Sequence, residues 1–469
     1  MTKLARRWQV LLVTAVAVFM AFLDVTIVNV AFPSIGEAFP DASLASLSWV
    51  LNAYNIVFAA LLVPAGRLAD LLGRRRLFFW GLGTFMVASA LCGLAPSVEV
   101  LVAARVLQAA GAAVLVPTSL GLLLPEFPVE RRATAVALWA AVGGVAAATG
   151  PSLGGLLIEW GEWRLVFFVN LVLGVAAWVP ARRLLREIRD PDRGAVPDAL
   201  GIALLSGGVA LVALAIVEAP DWGWGSARVL AAFAGAVLVL GAFVWRSRVH
   251  AHPVLELSLF RIRSFAVACA GVFVFSLGFY ALLLANILFL TSVWGYSTLE
   301  AGFAVTPGPL MAALSSALAG RMIDRVGSRA AALPGGLIFA FGCLLFATGL
   351  GSTPAYATEF LPATLLTGTG VGLSFAGFSS ASVAEMPPVR FATSSAIIAC
   401  SRQLGAVLGI SVLIAVTPDF TAAYALMAVT GAIAGLMALA LRATVTAWTS
   451  KSAPSTTPSR ERAPSAARS

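Results

Sequence analysis

Few residues of this chain have side chains suited to chemistry, and they stand in apolar surroundings. Asp24 lies inside a hydrophobic stretch that begins near residue 8 and is the only acid deep within such a stretch. Burying a carboxylate in hydrocarbon costs several kcal/mol unless it faces a cavity or a partner. Arg105 lies in another stretch of the same kind. If the first stretch runs outward to about residue 31 and the fourth runs inward from about residue 100, a helical rise of 1.5 Å per residue puts Asp24 ~10 Å and Arg105 ~8 Å below the same surface. The two side chains can then meet. Burial raises a carboxyl pKa and a nearby cation lowers it. A pair in which the two effects oppose each other can load and release a proton, or it can stay permanently ionised and lock two helices together.

Other polar groups at depth are Asn29, Asn52, Asn55, Gln108, Asn170, Asn286, Arg402 and Gln403. Arg402 falls about ten residues into its stretch, where an unpaired cation is expensive, so it is expected to face a cavity or a partner. Trp49, Tyr54, Phe58 and Trp139 are candidate cavity-lining aromatics, although such rings more often pack or anchor at the interface. Gly150-Pro151 followed by Gly154-Gly155 removes a helical hydrogen bond and lets neighbouring helices approach closely. The segment Gly66 to Arg76 carries Gly66, Asp70, Gly73, Arg74 and Arg75. There Asp70 is placed to accept from a neighbouring helix N-terminus, and the arginines to pair with acids or lipid phosphates.

Catalytic chemistry finds no foothold. His250 and His252 share a polar loop, and Cys92, Cys269, Cys343 and Cys400 sit in apolar stretches without metal-ligand spacing. We expect no catalytic residue, no metal and no cofactor. An enzyme would need acids, Ser/Asp or His clustered at depth, and a channel would need a sustained polar stripe.

The elements that must position these residues are membrane spans. The chain has 469 residues, 60% hydrophobic and 11% charged, too apolar for a soluble domain. Blocks of 18 or more uncharged residues are long enough to cross a ~30 Å hydrocarbon layer. Fourteen spans are expected, over 8–31, 47–66, 77–95, 100–124, 133–157, 164–182, 198–217, 227–245, 265–290, 301–320, 331–350, 357–382, 393–415 and 420–442. An even number puts both termini on one side. With that side cytoplasmic, its segments collect nearly all the arginines, and the outer loops hold only Arg164 and Arg228 alongside acids that include Glu99, Glu159, Glu162, Glu218, Asp221, Glu300 and Asp419. This asymmetry satisfies the positive-inside rule and explains the net charge of +9 without nucleic acid.

A repeat divides the chain further. Gly66, Asp70 and Gly73 after the second span recur as Gly320, Asp324 and Gly327 after the tenth. Secondary transporters are often built from such repeats, with the substrate near the midplane between them. The expected organisation is an all-α membrane protein. A six-helix bundle covers 1–190, an inserted hairpin of spans 7 and 8 covers 191–260, and a second six-helix bundle covers 261–445. A disordered cytoplasmic tail, rich in Ser, Pro, Arg and Ala, covers 446–469.

Five stretches together resemble the major facilitator superfamily, in particular its fourteen-span drug:proton antiporter branch. They are Leu23 to Pro33 in span 1, the Gly66 to Arg76 segment, Arg105-Val-Leu-Gln108-Ala-Ala-Gly111 in span 4, Gly150-Pro151-Ser-Leu-Gly154-Gly155 in span 5, and Trp163-Arg164 to Asn170 at span 6. The resemblance implies proton coupling for Asp24 and Arg105, gating for Gly66, Asp70, Gly73, Arg74 and Arg75, and export for the Gly150–Gly155 motif. One position departs from the family pattern, with Ala146 standing where a glycine is usual four residues before Gly150. The implied function is proton-driven efflux of lipophilic drugs, antibiotics or a toxic metabolite by a monomer in the cytoplasmic membrane. A proton-coupled importer with the same fold is the alternative.

Overall fold

In the computed structural model, residues 5–128, 132–188, 198–251, 253–386 and 391–441 are described, and among the helices the side chains of Arg67, Asp70, Asp324 and several residues of 132–147 and 391–393 are not. The tail over 446–469 and His252 lie outside the described residues. Runs of Ala, Leu, Val and Phe with few turn-forming residues favour helix throughout, and no strand occurs among the described residues. The helices are α1 (Arg6–Ala38), α2 (Leu44–Leu72), α3 (Arg74–Gly93), α4 (Val98–Leu123), α5 (Arg132–Trp160), α6 (Leu165–Leu184), α7 (Ala199–Trp222) and α8 (Ala227–Val249). They continue as α9 (Arg263–Ser292), α10 (Thr298–Val305), α11 (Pro307–Val326), α12 (Arg329–Gly349), α13 (Leu361–Ala384), α14 (Phe391–Val416) and α15 (Phe420–Met437).

Thirteen segments among the described residues are long and apolar enough to cross a bilayer, and α5 is a further 29-residue helix over the fifth expected span. Large apolar side chains such as Val172, Val237, Leu238 and Leu318 stand exposed on the surface, as a lipid-facing surface requires.

Three expectations about element boundaries need correction. Span 1 is expected to end near residue 31, but α1 runs through Pro33 to Ala38. Proline lacks only one N–H donor, and in a membrane bundle neighbouring helices compensate for the missing bond. Pro64, Pro117, Pro151, Pro180, Pro220 and Pro334 likewise lie inside helices. The Gly66–Arg76 segment, expected as a loop, is helical as far as Leu72. The turn is Gly73 alone, at φ 109°, and α3 begins at Arg74. Its counterpart Gly327, at φ 93°, ends α11 in the same way. Both glycines adopt a left-handed backbone that a Cβ would strain. Span 10, expected as one helix, divides at Thr306–Pro307 into α10 and α11, because Pro307 is well suited to begin a helix and ill suited to continue one.

Packing fixes which helices share a site. α1 packs on α4, α5 and α6, and α4 also packs on α2 and α3. On the other side α9 packs on α13, α14 and α15, and α13 on α11 and α12. The two groups touch where α2 meets α14, where α5 meets α10 and α11, and where α1 meets α9. α7 packs on α8, α2 and α14 together. Toward the end of the molecule that carries the α1–α2 connection, one apolar cluster joins both groups, with Ile27, Val30, Leu51 and Leu101 in the same core as Phe275, Leu282 and Ala301. A second cluster, with Val13, Met20, Phe58, Phe78 and Leu115, is built from the first six helices and the turn at Phe127.

Candidate functional site

Asp24 and Arg105 meet inside the first helix group. One terminal nitrogen of the Arg105 guanidinium donates to Asp24 Oδ2. Asp24 Oδ1 accepts from Gln108 Nε2 at 2.7 Å and from Asn170 Nδ2 at 3.4 Å. Arg105 Nε donates to the main-chain carbonyl of Val50 on α2 at 2.9 Å, and its terminal nitrogen also reaches Gln108 Oε1 at 2.7 Å. Gln108 Nε2 further donates to Ser89 Oγ on α3 at 2.8 Å. The Tyr54 ring lies 4.2 Å from the guanidinium carbon. Asp24 is 0% and Arg105 1% exposed.

The spacing explains this convergence. Arg105 and Gln108 are three residues apart, so α4 presents both on one face. Asn170 comes from α6, Ser89 from α3 and Tyr54 from α2, each from a helix packed around α1 or α4. Taking two charges out of water is costly, and only well-formed hydrogen bonds on the remaining lone pairs and protons offset it. Here both carboxylate oxygens and several guanidinium protons are engaged. With α1 extending to Ala38, Asp24 lies fourteen residues, about 21 Å, from the helix end, rather than ~10 Å below a surface. A carboxylate so enclosed can exchange a proton with water only after surrounding helices move apart.

A second polar seam links the two helix groups. Asn52 Nδ2 on α2 donates to Ser411 Oγ on α14 at 3.2 Å. Gln403 Nε2 donates to Asn55 Oδ1 at 3.1 Å, and Gln403 Oε1 accepts from the Tyr280 hydroxyl of α9 at 3.0 Å. Beside this chain a crevice is lined by Phe22, Phe58, Tyr280, Arg402 and Gln403, contributed by both groups. Of the other expected cavity residues, Asn29 Nδ2 turns back to the Val25 carbonyl at 2.6 Å, leaving its Oδ1 without a partner. Asn286 Oδ1 accepts from Tyr424 at 3.0 Å within the second group. Trp139 Nε1 donates to Ser119 Oγ at 3.0 Å. Trp49 packs beside a small cluster that joins α2, α7 and α14.

The small residues of α5 serve a three-helix junction. Gly154 is so close to α1 that a Cβ on it would stand 2.8 Å from Ile27 Cγ1, and Gly150 abuts Thr26. A Cβ on Gly155 would stand 2.7 Å from Leu299 Cα and 2.9 Å from the Thr298 carbonyl of α10. Gly302 of α10 in turn packs against the Pro151 carbonyl. α5 thus touches its own group through Gly150 and Gly154, and the other group through Gly155.

At the α2–α3 end, Arg74 donates to the Gly121 carbonyl of α4 at 2.8 Å, and Arg75 to the Arg182 carbonyl of α6 at 3.2 Å. The first amides of α3, those of Arg75 and Arg76, donate to the two oxygens of Glu187 at 3.0 and 3.2 Å. Glu187 thus places an anion on the N-terminus of α3. Asp70 itself lies outside the described side chains. Arg6 joins Glu126 at 3.1 Å and the Leu184 carbonyl at 2.6 Å. These described contacts all join elements of the first group to one another. Glu187, Ser89, Tyr280 and Ser411 escaped the sequence reading. Only Ser89, on the span beside Arg105, gives even a weak signal in advance, as a small polar residue at depth.

Comparison with known proteins agrees with this architecture. The family model described as Major Facilitator Superfamily matches residues 14–262 and 268–469. The chain is 33% identical over 404 residues to the multidrug resistance protein Stp of Mycobacterium tuberculosis, covering 86% of this chain and 74% of that protein. It is 33% identical over 413 residues to a tetracenomycin C resistance and export protein of Streptomyces glaucescens, covering 87% and 75% respectively. A solved structure of a POT peptide transporter, a point mutant in complex with sulfate, superposes with a TM-score of 0.66 at 15% identity, covering 92% of this chain and 93% of that one; it is a likeness of fold. With its model matched along nearly the whole length, the chain belongs to the Major Facilitator Superfamily and is a multi-pass membrane transporter.

Proposed function

We propose that the protein exports lipophilic small molecules, drugs or antibiotics among them, in exchange for protons. The observation that carries this reading is the enclosed Asp24–Arg105–Gln108 network. Its carboxylate faces the Arg105 guanidinium and is closed off from solvent. Protonating Asp24 removes the charge that Arg105 pairs with and weakens the hold on Val50 and Tyr54 of α2. α2 is the helix that faces α14 across the polar seam. Proton binding is thereby tied to the contact between α1–α6 and α9–α15, the two bodies that rock against each other.

The relatives named for drug resistance and export favour outward transport of hydrophobic compounds. So do the Gly150-Pro151 and Gly154-Gly155 pairs at the α1–α5–α10 junction. The arginine-rich α2–α3 end faces the cytoplasm, with both termini on that side. Gly66 and Asp70 at the end of α2, the Gly73 turn, and Arg74 and Arg75 at the start of α3 form the gating element on that side.

Inside-out vesicles containing the protein test this directly. After acidification of the lumen, adding a transported lipophilic compound should release protons in the wild type and not in Asp24→Asn. Proton uptake with inward substrate movement would instead assign an importer. Proton release by Asp24→Asn equal to wild type removes the coupling role.

A further inference from the structure

Two arginines that lie deep in the bundle are treated differently. Arg105 has its counter-ion in Asp24. Arg402, twelfth residue of α14, has no carboxylate within ion-pair distance among the described residues, and its Nε is buried without a hydrogen-bond partner. Its guanidinium carbon lies 5.9 Å from the Phe22 ring of α1 and 5.8 Å from the Phe375 ring of α13, so aromatic faces from both helix groups flank it. It opens on the crevice that Phe22, Phe58, Tyr280 and Gln403 also line.

The neighbouring polar groups are already committed. Tyr280 spends its hydroxyl proton on Gln403, and Gln403 spends its amide on Asn55. Among the residues lining this crevice the charged group is the Arg402 guanidinium, a hydrogen-bond donor. A cation without a counter-ion in a low-dielectric site is costly, and an entering anion relieves that cost. A guanidinium is planar and forked, matched to a carboxylate, and flanking phenyl rings favour a flat aromatic body. An ammonium group meets repulsion from the guanidinium.

We propose that Arg402 is the anion-binding point of a substrate subsite, and that the transported compounds include aromatic acids, planar rings bearing a carboxylate or a similarly ionised oxygen. This rests on the exporter reading above and names the substrate class for it. The crevice is only about 10 Å³ in this conformation, so the ring system enters beside Phe22 and Phe375 when the two groups part, and Arg402 neutralises the acidic group.

Equilibrium binding of radiolabelled 2-naphthoate to the full chain in lipid nanodiscs, at neutral pH and without a proton gradient, is the test. Methyl 2-naphthoate and 2-naphthylmethylamine are the neutral and cationic comparators. Because bonds to charged groups are the strong ones, Arg402→Gln should weaken naphthoate binding about tenfold or more and Arg402→Lys by less. Binding of the methyl ester should change little in either variant, which separates loss of the charge from loss of the fold. The proposal is overturned if the wild type does not bind naphthoate, if the ester loses affinity in parallel, or if the amine competes as well as the acid. Vesicle proton exchange driven by naphthoate, unchanged in Arg402→Gln, removes this subsite and leaves the exporter standing. Naphthoate binding in a protein that exchanges no protons with any compound keeps the subsite and removes the exporter.

Discussion

Tyr54 lays its ring over the Arg105 guanidinium at 4.2 Å. The next residue of α2, Asn55, accepts a hydrogen bond from Gln403 on α14. Successive residues on a helix point about 100° apart, so α2 presents one side chain to the ion pair and the next to the seam. A shift of α2 relative to α4 is felt at once by the contact with the second helix group.

Neutralising Asp24 separates energetic coupling from structural support. In Asp24→Asn, Arg105 stays buried without a counter-charge, and breaking a buried pair in this way costs about 3–5 kcal/mol. A lower thermal midpoint is expected, partly recovered in the double variant Asp24→Asn/Arg105→Gln, because contacting residues are not additive. Proton-driven transport should be lost in both while substrate binding persists. A destabilised Asp24→Asn that still exchanges protons assigns the pair a purely structural role.

Gly155→Ala should be more damaging to transport than Gly150→Ala. The added methyl at 155 meets main-chain atoms of Leu299 and Thr298 in the other helix group, whereas at 150 it meets Thr26 Oγ1 and Cβ within the first group, so only the former obstructs the junction between the groups. Backbone of a packed helix cannot step aside, and overpacking of this kind costs about 1–3 kcal/mol. Cysteine accessibility on opposite faces of the membrane should show Gly155→Ala depleted of the conformer in which α5 and α10 touch, with initial transport rates reduced accordingly.

Asp198 gives the α7–α8 hairpin a pH limit. It caps α7 by accepting from the Gly201 amide at 3.0 Å and pairs with Arg246 of α8 at 2.9 Å. Burial alone pushes its carboxyl up, but the Gly201 amide, Arg246 and nearby His250 outweigh it and hold the group below the usual carboxylate range. A lowered folded value means the contribution is fully present above the unfolded carboxylate pKa of about 4 and is lost as pH falls through the folded value. Hydrogen exchange of the first α7 amides should stay slow from neutral pH down to that range and accelerate below it. Asp198→Ala should lose about 1 kcal/mol of local protection at neutral pH.

Glu187 holds the start of α3 through the Arg75 and Arg76 amides. A carboxylate at a helix N-terminus contributes about 0.3–1 kcal/mol. Glu187→Gln should open these two amides to exchange by roughly that much, and Glu187→Ala further. Limited proteolysis after α6 should follow the same order.

The sequence reading succeeded where hydropathy and depth carry the information. Asp24 and Arg105 betray themselves because charged residues are rare in hydrocarbon, and they do meet, although the depth of ~10 Å expected for Asp24 falls short of its fourteen residues from the end of α1. It failed where geometry depends on groups without unusual hydropathy. The Val50 carbonyl is invisible as a residue type, and Glu187 looks like any acid in a polar strap. Helix ends were misplaced because hydropathy marks the lipid-buried part and not the turns projecting beyond it, so α1 passes Pro33 and α2 passes Gly66. The break at Pro307 was visible in principle, but an apolar stretch on both sides masked it.

α7 rests on α2 and α14 together, and this gives the two flanks of the molecule different permeabilities to lipid. Acyl chains are kept from the α2–α14 groove by α7, while the flank at α5 and α10 is closed by glycines against backbone. A solute dissolved in the bilayer core therefore meets a seam covered by a helix on one flank and a bare glycine contact on the other.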